Sequence, residues 1–177
     1  TSLKNLGVEY LDSLLLHSPL RSLEKTIEAW RCFEEAVDEG LVRFIGLSNC
    51  SDLPTLQCIY AAARHKPRFL QNRFYADTGY DAEIRDFCVE NGVVYQAFWT
   101  LTANPHILRS SPVSRAASRL EASPAQIWYR YLLEKGMMVL TGTSSQAHME
   151  EDVDVLTIDF SREDFDAIDN EVAKYTL

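Results

Sequence analysis

Short apolar runs alternate along the chain with longer stretches in which apolar residues recur every three or four positions. Residues 10–16 form a mostly apolar run of strand length, set between Gly7 and the breaker His17-Ser18-Pro19. Leu23, Ile27, Trp30 and Val37 then fall on one helical stripe, and Gly40 supplies the stop. Residues 41–47 form a second run ending at Ser48-Asn49, and Leu56, Ile59, Tyr60 and Ala63 mark a second helical face. The unit recurs through a strand at 69–74, a helix at 81–90 bearing Ile84, Phe87 and Cys88, and a strand at 93–98. An irregular stretch with Pro105 and Pro112 follows. Ser123-Pro124-Ala125-Gln126 opens the next helix as a capping box with proline in first position. A strand at 137–140 and helices at 145–155 and 161–173 complete the pattern, the last with Phe165, Ile168 and Val172 inward.

Five apolar strands joined by helical crossovers require a parallel sheet covered by helices, an α/β fold. Five units in 177 residues take about 35 residues each, whereas an eight-unit barrel takes ~250. An open doubly wound sheet also fits that count, but neither G-x-G-x-x-G nor G-x-x-x-x-G-K-[ST] occurs. The expected fold is therefore part of a (β/α)8 TIM barrel, about five of its eight strand–helix units. The start at Thr1, within what reads as a helix end over 1–7, points to a missing upstream portion, so that 1–177 is one N-terminally incomplete domain.

Charge and cysteine usage narrow the partners. Asp and Glu number 26 against 17 Lys and Arg, a net charge of −9 that repels a polyphosphate backbone, so nucleic acid is not expected. No segment approaches the ~20 apolar residues of a membrane span, and the N-terminus has no signal-peptide pattern. Cys32, Cys50, Cys58 and Cys88 lack metal-ligand or disulfide-framework spacing, which suits a reducing, cytoplasmic setting and no metal.

Ligands of parallel α/β folds bind beyond the C-terminal strand ends. Those ends carry His17, Ser48 and Asn49, Gln71 and Asn72, Phe98 and Trp99, and Thr141 to Ser145. An imidazole, several amides and an aromatic side chain suit a flat, amide-bearing heteroaromatic ligand. Each residue also has a plainer role: a lone histidine often sits in a turn, Ser48-Asn49 can cap the next helix, and Phe98 and Trp99 can be core. Adjacent strand residues face opposite ways, so of that pair Phe98 is chosen for the rim.

The runs Tyr10-Leu-Asp12-Ser-Leu-Leu-Leu-His17-Ser-Pro19, Gly40-Leu-Val-Arg43-Phe-Ile-Gly46-Leu-Ser48-Asn49 and Gln96-Ala-Phe98-Trp99-Thr-Leu101 resemble the aldo-keto reductase family from its fourth strand onward. The resemblance implies NAD(P)H-dependent reduction of a small aldehyde or ketone, or the reverse oxidation. It implies that His17 stands beside the substrate carbonyl and that Ser48, Asn49 and Gln71 hold the nicotinamide carboxamide. Phe98 would stack on the nicotinamide ring, and Thr141, Gly142, Thr143 and Ser144, with Glu151, would lie near the adenosine phosphate.

Three departures accompany the resemblance. The family's catalytic Asp, Tyr and Lys belong to strand units this chain lacks. Tyr75 and Tyr80 could donate a proton only with a pKa near ~10, for want of a lysine beside them. Gly142 and His148 stand where a lysine and an arginine usually pair with the 2′-phosphate, with Asp152 in place of an amide, so the NADP preference that the family implies is not matched by a clamp here and the choice between NADP and NAD stays open. Cys50 replaces an aromatic residue. A catalytically dead nucleotide-binding or interaction module is the alternative function. The cut barrel is expected to self-associate through its exposed sheet edges.

Overall fold

The computed structural model describes residues 2–176. Helix α1 (Ser2–Leu6) leads through Gly7, at φ 67°, into strand β1 (Leu11–Leu16). Helix α2 (Leu23–Asp38) follows, with the Ser22 side chain accepting from the Lys25 N–H at its start. Strand β2 (Val42–Ser48) and helix α3 (Leu53–Ala62) form the next unit, then strand β3 (Phe69–Arg73), a 3-10 turn (Ala76–Asp81) and helix α4 (Ala82–Glu90). Strand β4 (Val94–Phe98) precedes helices α5 (Pro105–Leu108), α6 (Ser111–Leu120) and α7 (Pro124–Glu134). Strand β5 (Met138–Val139) and helices α8 (Gln146–Asp154) and α9 (Arg162–Val172) end the chain.

The strands hydrogen-bond in the order β1-β2-β3-β4-β5, and the β1·β2, β2·β3 and β4·β5 pairs are parallel. The alternation read from apolar spacing is thus the architecture. Two expectations need revision. The stretch around Pro105 and Pro112 is helical, since each proline occupies the first turn of its helix, where a missing N–H costs nothing. The fifth strand keeps only Met138 and Val139 of the expected 137–140. The capping box at Ser123 and Gln126 forms as its spacing predicts.

Two compact units emerge among the described residues, one comprising 2–72 with 83–95, the other 73–82 with 96–176. In the first unit, Ile45 and Leu47 of β2 are buried with Trp30 of α2 and Leu56 and Ile59 of α3. The Trp30 indole N–H donates to the His65 carbonyl at 3.2 Å. In the second unit Phe74, Tyr80, Trp128 and Tyr131 form an aromatic core, with Trp128 and Tyr131 stacked at 5.2 Å between ring centroids.

Candidate active site

Strand register in the first unit brings the expected site residues into one row. Leu15 pairs with Gly46 and Leu16 with Leu47, so His17, one residue further, is level with Ser48; Ser48 pairs with Gln71. Because side chains alternate, His17, Ser48 and Gln71 share the face that also carries Leu15, Gly46 and Phe69. The opposite face takes Ile45 and Leu47 into the core. Gly46 is what allows the strands to approach here, since a Cβ would stand 2.6 Å from the Phe69 carbonyl oxygen.

Hydrogen bonds lock this end of the unit. The Gln71 carbonyl accepts from both the Ser48 hydroxyl (2.8 Å) and the Asn49 N–H (3.0 Å). Asn49 leaves the strand at φ 51°, a left-handed conformation its residue type tolerates, and its Nδ2 donates to the His17 carbonyl at 2.7 Å and to Ser48 Oγ at 3.1 Å. Asn72 is structural: its side chain accepts from the Cys50 N–H at 3.0 Å and donates to the Cys50 carbonyl at 2.9 Å. Ser48 and Asn49 do not cap α3. Asp52 does, accepting from the Thr55 N–H at 2.8 Å. His17 and Asn49 are exposed, Gln71 is half-buried and Ser48 is buried.

The remaining expected residues lie in the second unit. Gln96 and Ala97 pair with Met138 and Val139, so Phe98 and the start of the 141–145 loop follow neighbouring strand ends. Phe98 is half-buried, whereas Trp99 is 49% exposed. Trp99 has φ 59°, outside strand geometry, so the alternation used to choose between the two does not extend to it. Thr141 Oγ1 donates to Asp152 at 2.6 Å and accepts from the Tyr129 hydroxyl at 3.3 Å. Thr143 Oγ1 accepts from the Ser145 N–H, and the Ser145 hydroxyl caps α8 by accepting from the His148 N–H. Gly142 and Ser144 are exposed, and the half-buried Glu151 offers its carbonyl to Gln126 Nε2 at 3.0 Å.

Tyr80 is not placed to donate a proton. It is fully buried with its hydroxyl 3.0 Å from His106 Nε2, and burial, then Tyr175, pushes its pKa well above that of a free tyrosine. Among the described residues no cluster of three His, Cys, Asp or Glu could hold a metal ion. Nor is any helix among them long and apolar enough to cross a membrane. A residue that sequence reasoning passed over is Arg73, an exposed cation at the end of β3. Its only signal is a charge near the end of a mostly uncharged strand.

Comparison with known proteins gives these features a setting. The family model described as "Aldo/keto reductase family" matches residues 1–172. The NAD/NADP-dependent indole-3-acetaldehyde reductase of Schizosaccharomyces pombe is 30% identical over 177 residues, covering 94% of this chain and 61% of that protein. The glyoxal reductase of Bacillus subtilis is 29% identical over 168 residues, 95% of this chain and 59% of its own length. An aldo/keto reductase crystal structure from Brucella melitensis superposes with a TM-score of 0.85 at 28% identity, covering 96% of this chain and 64% of that one. The likeness bears out part of a strand–helix barrel over an open sheet. The chain spans about six-tenths of the length of the curated relatives it matches.

Proposed function

The chain belongs to the aldo/keto reductase family, and from that premise we propose that its 177 residues supply the nicotinamide-holding part of an oxidoreductase acting on a small aldehyde or ketone. The observation that carries this reading is the single row of His17, Ser48 and Gln71 across three neighbouring strands. When bound, a reduced nicotinamide supplies the hydride. Asn49, whose nitrogen is engaged by His17 and Ser48, offers its Oδ1 to the carboxamide N–H of such a ring, while Ser48 and Gln71 fix the groove beside it. A His17 ring N–H is suited to a carbonyl oxygen on which negative charge grows. On the family resemblance, Phe98 in the second unit is assigned a stacking face, and Thr141, Gly142, Thr143, Ser144 and Glu151 are assigned to the adenosine phosphate.

NAD and NADP are both accepted on this reading. Gly142 and His148 give no bidentate cation for a 2′-phosphate, and Asp152 sits on Thr141 with a negative charge. Turnover by the 177 residues alone is weak or absent. Tyr80 is enclosed and hard to ionise, and the loss of a general acid costs ~10²–10⁴-fold. One incomplete domain, a cytoplasmic setting consistent with four free thiols, and association through sheet edges complete the proposal.

The test is to titrate the chain with NADH and NADPH while following thermal shift, then to assay glyoxal and other aldehydes by loss of nicotinamide absorbance. Saturable stabilisation by both nucleotides, weakened by Gln71→Met, with turnover far below that of a complete family enzyme, is the expected result. No stabilisation by either nucleotide would overturn the reading, and brisk turnover would overturn its catalytic half.

A further inference from the structure

A cleft in the second unit, with a volume of about 620 Å³, borders none of the residues assigned to the nucleotide. Arg73, Tyr75, Trp99, Ala103, Pro105 and Tyr175 are among its walls. The Arg73 guanidinium carbon lies 3.8 Å from the centroid of the Trp99 ring and 5.1 Å from that of Tyr75. These rings hold the cation by its faces and leave its N–H edge for another partner. Among the described residues Arg73 makes no hydrogen bond or ion pair. By contrast Arg31, Arg43, Arg64, Arg119, Arg130 and Arg162 each pair with an acid. Arg68, Arg109 and Arg115 lack an acid as well, but they donate to the Gly92 carbonyl, the Pro105 carbonyl and the Ser111 hydroxyl.

The wall is also built to hold its shape. Trp99 occupies the left-handed region at φ 59°, a costly conformation for a bulky residue, and it leaves the indole 49% exposed over the cleft. Beneath it the fully buried Asn104 donates to the carbonyls of Phe74 (2.7 Å) and Thr100 (2.8 Å), and the Trp128 indole N–H donates to the same Thr100 carbonyl at 3.0 Å. Across the cleft, His106 is held by the Tyr80 hydroxyl at 3.0 Å and packs on Tyr175 at 4.7 Å. Strain kept in place by buried bonds on one lip, beside an uncommitted guanidinium, is the anatomy of a preorganised binding site.

We propose that this cleft binds a small planar monocarboxylate, its two oxygens on the Arg73 guanidinium and its apolar body against Tyr75, Ala103 and Pro105. A carboxylate matches the planar fork of arginine, and aromatic and proline walls suit a flat hydrocarbon body. Asp77 also lines the cleft, and the chain carries a net charge of −9. Both disfavour a dianion, so a monocarboxylate is selected over phosphate.

Benzoate is the probe, with benzamide as its neutral counterpart and inorganic phosphate as the competing anion. Trp99 is the exposed indole on the cleft wall, so intrinsic fluorescence on ligand addition gives one reading and calorimetry a second. Benzoate is expected to give saturable binding, weakened roughly 10- to 100-fold in Arg73→Met and less in Arg73→Lys. Benzamide and phosphate should each bind at least about tenfold more weakly than benzoate. Equal affinity of benzoate for the wild type and Arg73→Met, or of benzamide and benzoate for the wild type, overturns the proposal, as does the absence of saturable binding. Phosphate binding as tight as benzoate overturns the monocarboxylate assignment. Should Arg73→Met fail to fold, the benzoate and benzamide comparison on the wild type decides alone.

Discussion

The side-chain amide of Asn49 donates to the main-chain carbonyl of His17 at 2.7 Å, tying the end of β2 to the end of β1. The bond is made from a left-handed backbone, at φ 51°. One residue therefore turns the chain out of the strand and secures the loop that bears the histidine. Asparagine is suited to both tasks, because its short amide tolerates that conformation and can reach a neighbouring carbonyl.

These two contributions separate by substitution. Asn49→Ala loses the bond and places a Cβ-bearing residue with no compensating amide at positive φ, so it should lower the free energy of unfolding by about 1–3 kcal/mol. Asn49→Gly loses only the bond and should cost about 1 kcal/mol. Urea unfolding of both variants checks the order. A glycine variant less stable than the alanine variant would show that backbone strain plays no part.

Gly46 is required by its neighbour rather than by its own torsion. A Cβ at this position would meet the Phe69 carbonyl oxygen at 2.6 Å and Phe69 Cβ at 2.9 Å, and backbone cannot swing aside. Gly46→Ala should therefore destabilise by about 1–3 kcal/mol through overpacking. Gly142 has nothing within 4 Å of the same position, and Gly142→Ala should stay within about 0.5 kcal/mol of the parent. Thermal melts of the pair are the measurement.

The strand ends were legible because register follows from apolar pattern. Once residues 10–16 and 41–47 read as parallel strands, His17 and Ser48 had to lie at the same end of the sheet, whereas Gln71, inside the strand at 69–74, joins their row through its pairing with Ser48. What pattern could not give is which polar atoms are already committed. Asn72 looks like a ligand amide in sequence and is instead closed on both sides by the Cys50 backbone. Ser48 and Asn49 look like a helix cap, yet Asp52 occupies that position, and the Asn49 amide turns back to His17. Trp99 is set aside by an alternation rule that ends where its φ turns positive. Arg73 escapes notice because ring faces far away in sequence, at Trp99, are what distinguish it from an ordinary surface cation.

Asn72 is 2% exposed and completes both halves of the Cys50 peptide. Asn72→Ala leaves a buried N–H and a buried carbonyl without that partner, which should cost about 2–4 kcal/mol. Asn72→Asp keeps the acceptor for the Cys50 N–H but sets a carboxylate oxygen against the Cys50 carbonyl. Protonation restores a donor, so this variant should gain stability relative to the parent as pH falls. Paired urea titrations at neutral and acidic pH test this, and a gap that widens in acid would contradict it.

Acid should weaken the parent protein through Glu34. This carboxylate is 1% exposed, and burial by itself pushes its pKa up. The Arg31 guanidinium at 2.7 Å and the N–H groups of His65 (3.0 Å) and Arg64 (2.6 Å) pull it down more strongly, leaving it below its ordinary 4.5. Asp38 is held down too, first by Arg64 and then by His65. A carboxyl that binds its proton less readily in the folded state than in the unfolded one stabilises the fold above the unfolded pKa. That contribution fades as pH drops through the folded value. Unfolding free energy should hold level from pH 7 to about 5 and decline below the ordinary carboxylate range. Glu34→Gln keeps the shape but loses the charge, so it should be less stable at pH 7 and decline less steeply in acid. Parallel curves for the two proteins would remove Glu34 from the account and leave the acid response to Asp38 and the other carboxylates.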